Sequence, residues 1–340
     1  MTAPHRDPLV WLPAALMSGT ALLCLVSLLT GAGAVTPAQS LDYLLGGTDP
    51  QAATVIQSLR LPRTLAALLV GTALGGAGCL LQAMTRNPLA ETGLLGINAG
   101  AALAVVVGIA FTGAATGCAY LGWAFGGALL GSGCVLALSH AGGGNTPLRL
   151  ILAGVALGST FHGLSATILL ADQQSYDQFR YWTMGTLSGT SGALVWQVWP
   201  AVAAALALSL VLLRPLAALL LGDDSARALG HRPGLVRLGV ATAVTLAAGG
   251  AVALAGPIAF LGLLAAHAGR AVAGPELRRQ FLLAALAGAA ILLAADIAAR
   301  VVVRPFEAPA SVLVALIGAP FMVWIVRAGR GPLGAGASRS

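Results

Sequence analysis

Two ionisable residues in a long apolar run are the first candidates for chemistry in this chain. Asp296 lies inside the run, and Arg300 follows it four residues later. In a helix this spacing places both side chains on one face, where they can form an ion pair. A carboxylate inside a membrane can also serve as a proton or cation site. The partner one turn away favours a structural ion pair between Asp296 and Arg300, and the proton site stays as the alternative.

Further arginines stand at the ends of apolar runs. Arg60 and Arg63 precede the apolar residues 65–81, and Arg86 follows them. An arginine at the centre of a bilayer costs about 2.5–3.5 kcal/mol, so these three residues are expected at the two membrane surfaces. Arg60, Arg63 and Arg300 are then either interfacial anchors or a basic rim that docks an acidic partner.

The other reactive side chains do not form a recognisable site. The four cysteines show neither a C-x-x-C motif nor a Cys/His spacing, and His140, His162 and His267 share no spacing. We therefore expect packed cysteines, hydrogen-bonded histidines and no metal site. The phosphate-binding motif G-x-x-x-x-G-K-[ST] is absent, so the chain is expected to bind no cofactor and to be no enzyme. If ATP and Mg²⁺ are used, another polypeptide must hold them.

The composition excludes a soluble globular protein. Of 340 residues, 58% are hydrophobic and 9% are charged, whereas soluble domains contain about 25% charged residues. The 18 basic residues are all arginines, scattered between apolar runs, unlike the basic face of a nucleic-acid-binding protein. At about 20 residues per crossing, the chain can form about ten membrane-spanning helices.

The hydropathy pattern predicts an all-α integral membrane protein with one transmembrane domain, residues 1–340. Ten spans are expected, at residues 9–33, 61–84, 94–111, 119–139, 150–170, 193–213, 238–254, 258–272, 281–299 and 311–326. They divide into two five-helix halves, and an odd number of spans per half would give the halves opposite orientations. No residue-level repeat is visible between them. Residues 214–237 form the longest loop, and residues 331–340 a disordered tail.

The arginines also predict the orientation in the membrane. With these spans, 13 of the 18 arginines fall on one side and five on the other. Because cytoplasmic loops retain basic residues, the side with more arginines is expected to be cytoplasmic, and both termini lie there. The first apolar run is longer than the core of a signal peptide, so it is expected to remain as a span.

Several motifs resemble one family of membrane proteins. R-L-P-R-T, N-P-L-A-E-T-G-L-L-G, L-G-D-D-S-A-R-A-L-G and A-D-I-A-A-R are similar to segments of FecCD/BtuC-type permeases, the membrane subunits of bacterial ABC importers for iron siderophores, haem and vitamin B12. The resemblance implies a type II ABC importer permease fold in the bacterial inner membrane. It also implies three kinds of protein partner: a second copy of the chain, two ATP-binding cassette subunits, and a periplasmic or lipoprotein substrate-binding protein.

The resemblance implies roles for three groups of residues. The external arginines would receive carboxylates of the binding protein: Arg60, Arg63 and Arg300. The loop 214–237 would seat in a cleft of the ATPase subunit through three residues: Asp223, Arg227 and Leu229. Two inner turns would form a cytoplasmic gate: Asn87, Leu89, Asn145 and Thr146. Ordinary turn chemistry explains the gate residues equally well, and a solvated linker explains the loop.

The family resemblance implies import of an iron chelate, a ferric siderophore or haem, after delivery by the binding protein. Cobalamin is the alternative cargo within the same family. An ion-coupled secondary transporter that uses Asp296 is the alternative from another class, and a membrane scaffold without transport activity is a third hypothesis. Because the binding protein usually selects the substrate, this chain alone does not identify the cargo.

Overall fold

The protein is a bundle of helices. The computed structural model describes residues 8–31, 35–113, 117–142, 146–302 and 306–327, and these ranges contain no strand. In chain order the helices are α1 (Pro8–Leu29), α2 (Pro37–Leu44), α3 (Pro50–Val55), α4 (Leu61–Thr85), α5 (Ile97–Thr112), α6 (Gly117–Ala141), α7 (Pro147–Leu169), α8 (Gln173–Thr183), α9 (Gly192–Leu220), α10 (Asp223–Ala228), α11 (Pro233–Ala255), α12 (Leu261–Ala273), α13 (Leu277–Val302) and α14 (Ala310–Arg327).

Ten of the described helices are apolar. Seven are long and apolar enough to cross a membrane: α1, α4 together with α3, α6, α7, α9, α11 and α13. Three are shorter: α5, α12 and α14. The prediction of an all-α membrane protein with about ten spans is confirmed. The predicted tail, residues 331–340, lies outside the described residues.

The connection before α4 is largely helical. α3 continues through a π-helical turn, Ile56–Arg60, directly into α4. The result is one helical stretch of 36 residues, Pro50–Thr85. Pro62 follows the π-helical turn and lacks the N–H that would continue the hydrogen bonding of a regular helix there. The second span is therefore preceded by about three turns of helix.

The predicted loop 214–237 is too long at both ends. α9 continues through Pro215 to Leu220, and α11 already begins at Pro233. A proline removes one backbone hydrogen bond, and the buried side chains of Leu216 and Leu219 keep the following turn packed on the bundle. The connection between the two spans is thus residues 221–232, and α10 lies within it.

Local sequence explains why α10 is a separate short helix. Gly222 precedes it with φ of 121°, and Gly230 follows it with φ of 81°, conformations that glycine adopts readily. Asp223 and Asp224 occupy the first turn, where the helix dipole favours negative charge. Such a short helix is marginal alone, so contacts outside it must hold it in place.

α4 lies at the centre of the bundle, in contact with α11, α12 and α13. Gly71 and Gly75 face the backbone of α13: a Cβ atom on Gly75 would lie 2.2 Å from the carbonyl oxygen of Ala284. Gly78 meets Gly262 of α12 in the same way. Small residues allow membrane helices to approach this closely. The backbones of α4, α12 and α13 are therefore in direct contact.

Each half of the bundle packs one of its helices against the other half. α4, from the first half, packs on α12 and α13 of the second half, and α11, from the second half, packs on α5 and α6 of the first. The third span of each half begins at a left-handed residue, Gly96 before α5 and Phe260 before α12. Helices in corresponding positions make corresponding contacts, as expected for two related five-helix halves.

Candidate functional site

Three arginines meet where α4 begins and where α1 and α13 end; we call this region the arginine end, and it contains Arg60, Arg63 and Arg300. At its centre, the carboxylate of Asp296 is fully buried. Nε of Arg63 donates to Oδ1 of Asp296 at 2.9 Å, and Nη2 of Arg300 donates to Oδ2 of Asp296. Asp296 therefore has two cationic partners. The sequence spacing pointed to Arg300, whereas Arg63 comes from another helix, 233 residues away.

Arg63 contacts a second carboxylate. Its Nη1 donates to Oε2 of Glu307, in the connection before α14, at 2.6 Å. Burial acts to raise the pKa of Glu307, but the hydrogen bond from Arg63 and the positive charge of Arg63 outweigh burial, and the pKa is lowered. Glu307 thus stays ionised at any pH above its ordinary titration range. Glu307 cannot be recognised as a site residue from the sequence, because nothing in its local pattern indicates a partner.

Arg60 and Arg300 cap the end of α1. Nη1 of Arg60 donates to the carbonyl oxygens of Leu28 at 3.1 Å and Leu29 at 3.0 Å. Nη1 of Arg300 donates to the carbonyl oxygen of Ser27 at 3.0 Å. The last carbonyls of a helix lack partners within it and carry partial negative charge, so arginines stabilise them. Two arginines from α13 and the turn before α4 therefore anchor α1.

The arginine end differs from an exposed basic rim. The exposed fractions of Arg60, Arg63 and Arg300 are 3%, 8% and 1%. All three line a cavity of about 310 Å³, together with Glu307 and residues 188–191. With Asp296 and Glu307 included, the five ionised groups carry a net charge of +1 instead of +3. A partner would reach these arginines only through the cavity, and their role in docking stays a prediction.

Two of the residues predicted to couple to an ATPase, Asp223 and Arg227, lie on α10, and Leu229 directly follows its last residue. These three residues divide into two groups. Asp223 faces the bundle, where its Oδ1 lies 2.7 Å from Nη2 of Arg237. Arg227 and Leu229 face outward: Arg227 pairs with Asp224 at 2.7 Å, and Leu229 is 60% exposed. The outward group leaves an apolar side chain available to a partner protein, whereas Asp223 is already engaged within the chain.

The predicted gate residues occupy two turns. Oδ1 of Asn87 accepts a hydrogen bond from the N–H of Leu89 at 3.0 Å, a local turn contact, and Leu89 is 47% exposed. Thr146 is the N-cap residue of α7, and Asn145 lies outside the described residues. Among the described residues, no hydrogen bond joins Thr146 to the Asn87 turn. Their role as a gate stays a prediction.

Glu91 is a further carboxylate whose partner the sequence does not indicate. Its Oε1 accepts the backbone N–H of Phe260, just before α12, at 3.0 Å. Phe260 has φ of 64°, in the left-handed region. The contact joins the segment after α4 to the start of α12, and a carboxylate is favourable at the start of a helix.

Across the described ranges, no group of three metal-binding side chains occurs.

Comparison with known proteins identifies the family. Residues 19–328 match the FecCD transport family. The ferric enterobactin transport system permease protein FepD of Escherichia coli (strain K12) is 43% identical over 303 residues, 89% of this chain and 90% of that protein. The Fe(3+) dicitrate transport system permease protein FecC of the same strain is 38% identical over 336 residues, 96% of this chain and 99% of that protein.

A solved structure shares the fold. It is described as a metal-chelate type ABC transporter in an inward-facing conformation, and it aligns with a TM-score of 0.76 and 27% identity over 93% of this chain and 98% of that one. The helical bundle, the family match and the two permease relatives agree over nearly the whole length. This multi-pass membrane protein belongs to the FecCD transport family of ABC transporter permeases.

Proposed function

We propose that this chain is the permease subunit of an ATP-driven importer that moves an iron chelate, a ferric siderophore or haem, across the inner membrane. The observation that carries the proposal is the match of residues 19–328 to the FecCD transport family. Relatives named for ferric enterobactin and for ferric dicitrate support an iron chelate as cargo. A hemin permease relative, HmuU of Yersinia pestis, 36% identical over 79% of this chain and 82% of that protein, supports haem as a second form of that cargo.

ATP hydrolysis takes place on separate ATP-binding cassette subunits, which hold ATP and Mg²⁺. Two such subunits contact the permease through α10. The exposed side chain of Leu229 supports this role, because a large apolar residue in a polar segment is typical of an anchor that fills a pocket on a partner. ATP binding closes the ATPase subunits, α10 moves with them, and the bundle alternates its access between the two sides of the membrane.

The permease works as a dimer with a second copy of itself. Support comes from α7, whose side chains are mostly exposed on this chain. Ser159 and His162 are exposed near the middle of α7, where lipid tails offer no hydrogen bonds. A polar pathway between two copies satisfies these groups better than lipid does. The turns at Asn87 and Thr146 then close this pathway on the cytoplasmic side.

The loaded substrate-binding protein docks at the arginine end. Its carboxylates enter the cavity of about 310 Å³ lined by Arg60, Arg63 and Arg300. The remaining charge of +1 orients the encounter with an acidic surface. This places the arginine end on the periplasmic side and α10 in the cytoplasm. The excess of arginines on the α10 side supports the same orientation, with both termini cytoplasmic.

Transport by purified protein tests the proposal. The chain is reconstituted into liposomes alone, and together with an ATP-binding cassette subunit and a substrate-binding protein from the same organism. We expect uptake of a ferric siderophore or haem only from the complete system with ATP. Uptake by the chain alone, driven by an ion gradient and lost in Asp296→Asn, would instead establish a secondary transporter. Uptake of cobalamin in place of the iron chelates would correct the cargo but not the class.

A substitution on α10 tests the contact with the ATPase. Leu229→Asp is expected to lower binding of the ATPase subunit and ATP-dependent uptake by about tenfold or more, because a charge replaces an apolar anchor. Leu170, which is 89% exposed at the other end of the bundle, provides the matched control, Leu170→Asp. Equal effects of the two substitutions would contradict the assignment of α10.

A further inference from the structure

α10 is attached to the bundle through one of its two adjacent aspartates. Oδ1 of Asp223 lies 2.7 Å from Nη2 of Arg237 on α11. The side chain of Arg237 is 9% exposed, and its Nε is buried without a hydrogen-bond partner. Among the described residues, Asp223 is the only carboxylate paired with Arg237. The ion pair therefore neutralises a cation that the bundle has largely removed from water.

The same carboxylate reaches the end of α4. Nη2 of Arg86 lies 3.5 Å from Oδ1 of Asp223 and also donates to the carbonyl oxygen of Leu219, in the last turn of α9. Arg86 has φ of 52°, so the chain reverses there and the side chain points back across the end of the bundle. Asp223 thus lies where the ends of α4 and α9 meet the start of α11.

Asp224, the next residue, makes none of these contacts. Its side chain is 98% exposed, and its ion-pair partner is Arg227 of the same helix, three residues later. The two aspartates share a charge and a helical turn, yet one faces the bundle and the other faces water. Attraction of negative charge to the start of a helix acts on both, so it does not explain the difference in their contacts.

We propose that Asp223 is a positioning residue that fixes α10 to α4, α9 and α11, so that a displacement of α10 is passed to these three helices. The proposal rests on the proposed function, since it assigns Asp223 to the permease side of the coupling contact and leaves Leu229 and Arg227 to the ATPase side. Without Asp223, α10 would still be present, but its movement would not be transmitted to the bundle.

Amide hydrogen exchange of the purified chain in nanodiscs tests the attachment without any partner protein. Asp223→Asn is expected to speed exchange of the α10 amides by about tenfold, because local opening no longer breaks an ion pair with a buried arginine. Asp224→Asn, the matched control, should leave exchange unchanged, and Asp223→Glu should restore most of the protection. Equal exchange in Asp223→Asn and Asp224→Asn would overturn the proposal.

A second variant guards against misfolding of Asp223→Asn. Arg86→Asn removes only the partner at 3.5 Å, and asparagine tolerates the left-handed conformation found there. It should speed exchange of the α10 amides by a smaller factor. Unchanged exchange in this variant, with normal folding, would remove α4 from the attachment.

Assays on the assembled transporter distinguish transmission of α10 movement to the bundle from binding of the ATPase subunit. In Asp223→Asn we expect the ATPase subunit to bind as in the unmodified chain, while substrate imported per ATP hydrolysed falls about fivefold or more as α10 moves without the bundle. Loss of ATPase binding with unchanged α10 exchange would show that Asp223 contacts the ATPase instead. If the chain proves to transport without an ATPase, the proposed function fails, whereas the exchange result on the attachment stands.

Discussion

Asp296 carries a carboxylate at a position of α13 that has no access to solvent. Arg63 and Arg300 both donate to it, and Arg300 also holds the end of α1. The two arginines balance the charge of this buried carboxylate within the protein. The geometry favours a structural role for Asp296 over a proton-transfer role.

Asp296→Asn should therefore destabilise the fold. The substitution leaves Arg63 and Arg300 buried without their anion, and breaking a buried ion pair from one side costs about 3–5 kcal/mol. Unfolding in detergent micelles, followed by tryptophan fluorescence, measures the loss. Asp177→Asn, whose exposed pair with Arg180 spans 3.9 Å, is the control and should change stability by less than about 1 kcal/mol. A stable Asp296→Asn protein that has lost gradient-driven uptake would revive the secondary transporter.

α4 and α13 pack with their backbones in direct contact. Between Gly75 and the Ala284 carbonyl, a single added methyl carbon has no space. Gly133 of α6 differs, since no atom lies within 4 Å of the position of its Cβ. The same residue type thus serves close packing at one position and leaves open surface at another.

Gly75→Ala is expected to destabilise the protein by about 1–3 kcal/mol or more, because α4 and α13 must separate to admit the methyl group. Gly133→Ala is the matched control in α6. It should be neutral or stabilise by up to about 1 kcal/mol, since alanine favours a helix more than glycine does. The midpoint temperature of unfolding in detergent compares the two. A neutral Gly75→Ala would mean that the contact between α4 and α13 is looser than described.

At the scale of elements, hydropathy predicted the positions of the apolar helices well, whereas it did not predict which side chains contact one another. The apolar runs gave most ends of the ten helices to within a few residues, because burial in lipid requires continuous apolar sequence. α9 extends seven residues beyond its predicted end at 213, since Pro215 punctuates the sequence without ending the helix. The burial of Arg60 depends on the free carbonyls at the end of α1, and no local pattern encodes such a contact between distant segments.

At the scale of the whole molecule, the net charge of the arginine end sets how strongly this region would attract an acidic partner. Glu307 occupies Arg63 and lowers the positive charge of the region. Because the pKa of Glu307 is lowered, a fall in pH to the ordinary titration range of a glutamate does not break the ion pair between Glu307 and Arg63. The Arg63–Glu307 ion pair is formed above the depressed pKa of Glu307 and is lost only as pH falls through it. If a partner docks as proposed, its carboxylate would therefore have to compete with Glu307.

Glu307→Gln should strengthen binding of the substrate-binding protein. A glutamine oxygen can still accept a hydrogen bond from Nη1 of Arg63, but it carries no negative charge and so competes less strongly. The net charge of the region rises by one, so association should quicken several-fold at low salt and less at high salt. Surface plasmon resonance with the immobilised binding protein measures both rates. Glu276→Gln makes the same change of charge at the opposite end of α13, where Glu276 pairs with Arg279, and should have no effect.

Charge reversal tests the same region from the other side. Arg63→Glu should weaken that binding by about tenfold or more, since truncating or reversing a buried charge at an interface costs at least 2 kcal/mol. The variant must first be shown to fold, because Arg63 also contacts Asp296. Unchanged affinity in a folded Arg63→Glu protein would place the docking site elsewhere.

The backbone contact of α4 with α13 has a consequence for the transport cycle. Two helices whose backbones are in contact resist sliding, since any shift forces peptide groups into one another. Arg63, near the start of α4, and Arg300, near the end of α13, should therefore keep a constant separation while cargo passes. Spin labels on α4 and α13 should then report one distance in every nucleotide state. Opening of the transport pathway should instead change distances measured to α7, which is less buried in the bundle than α4 and α13.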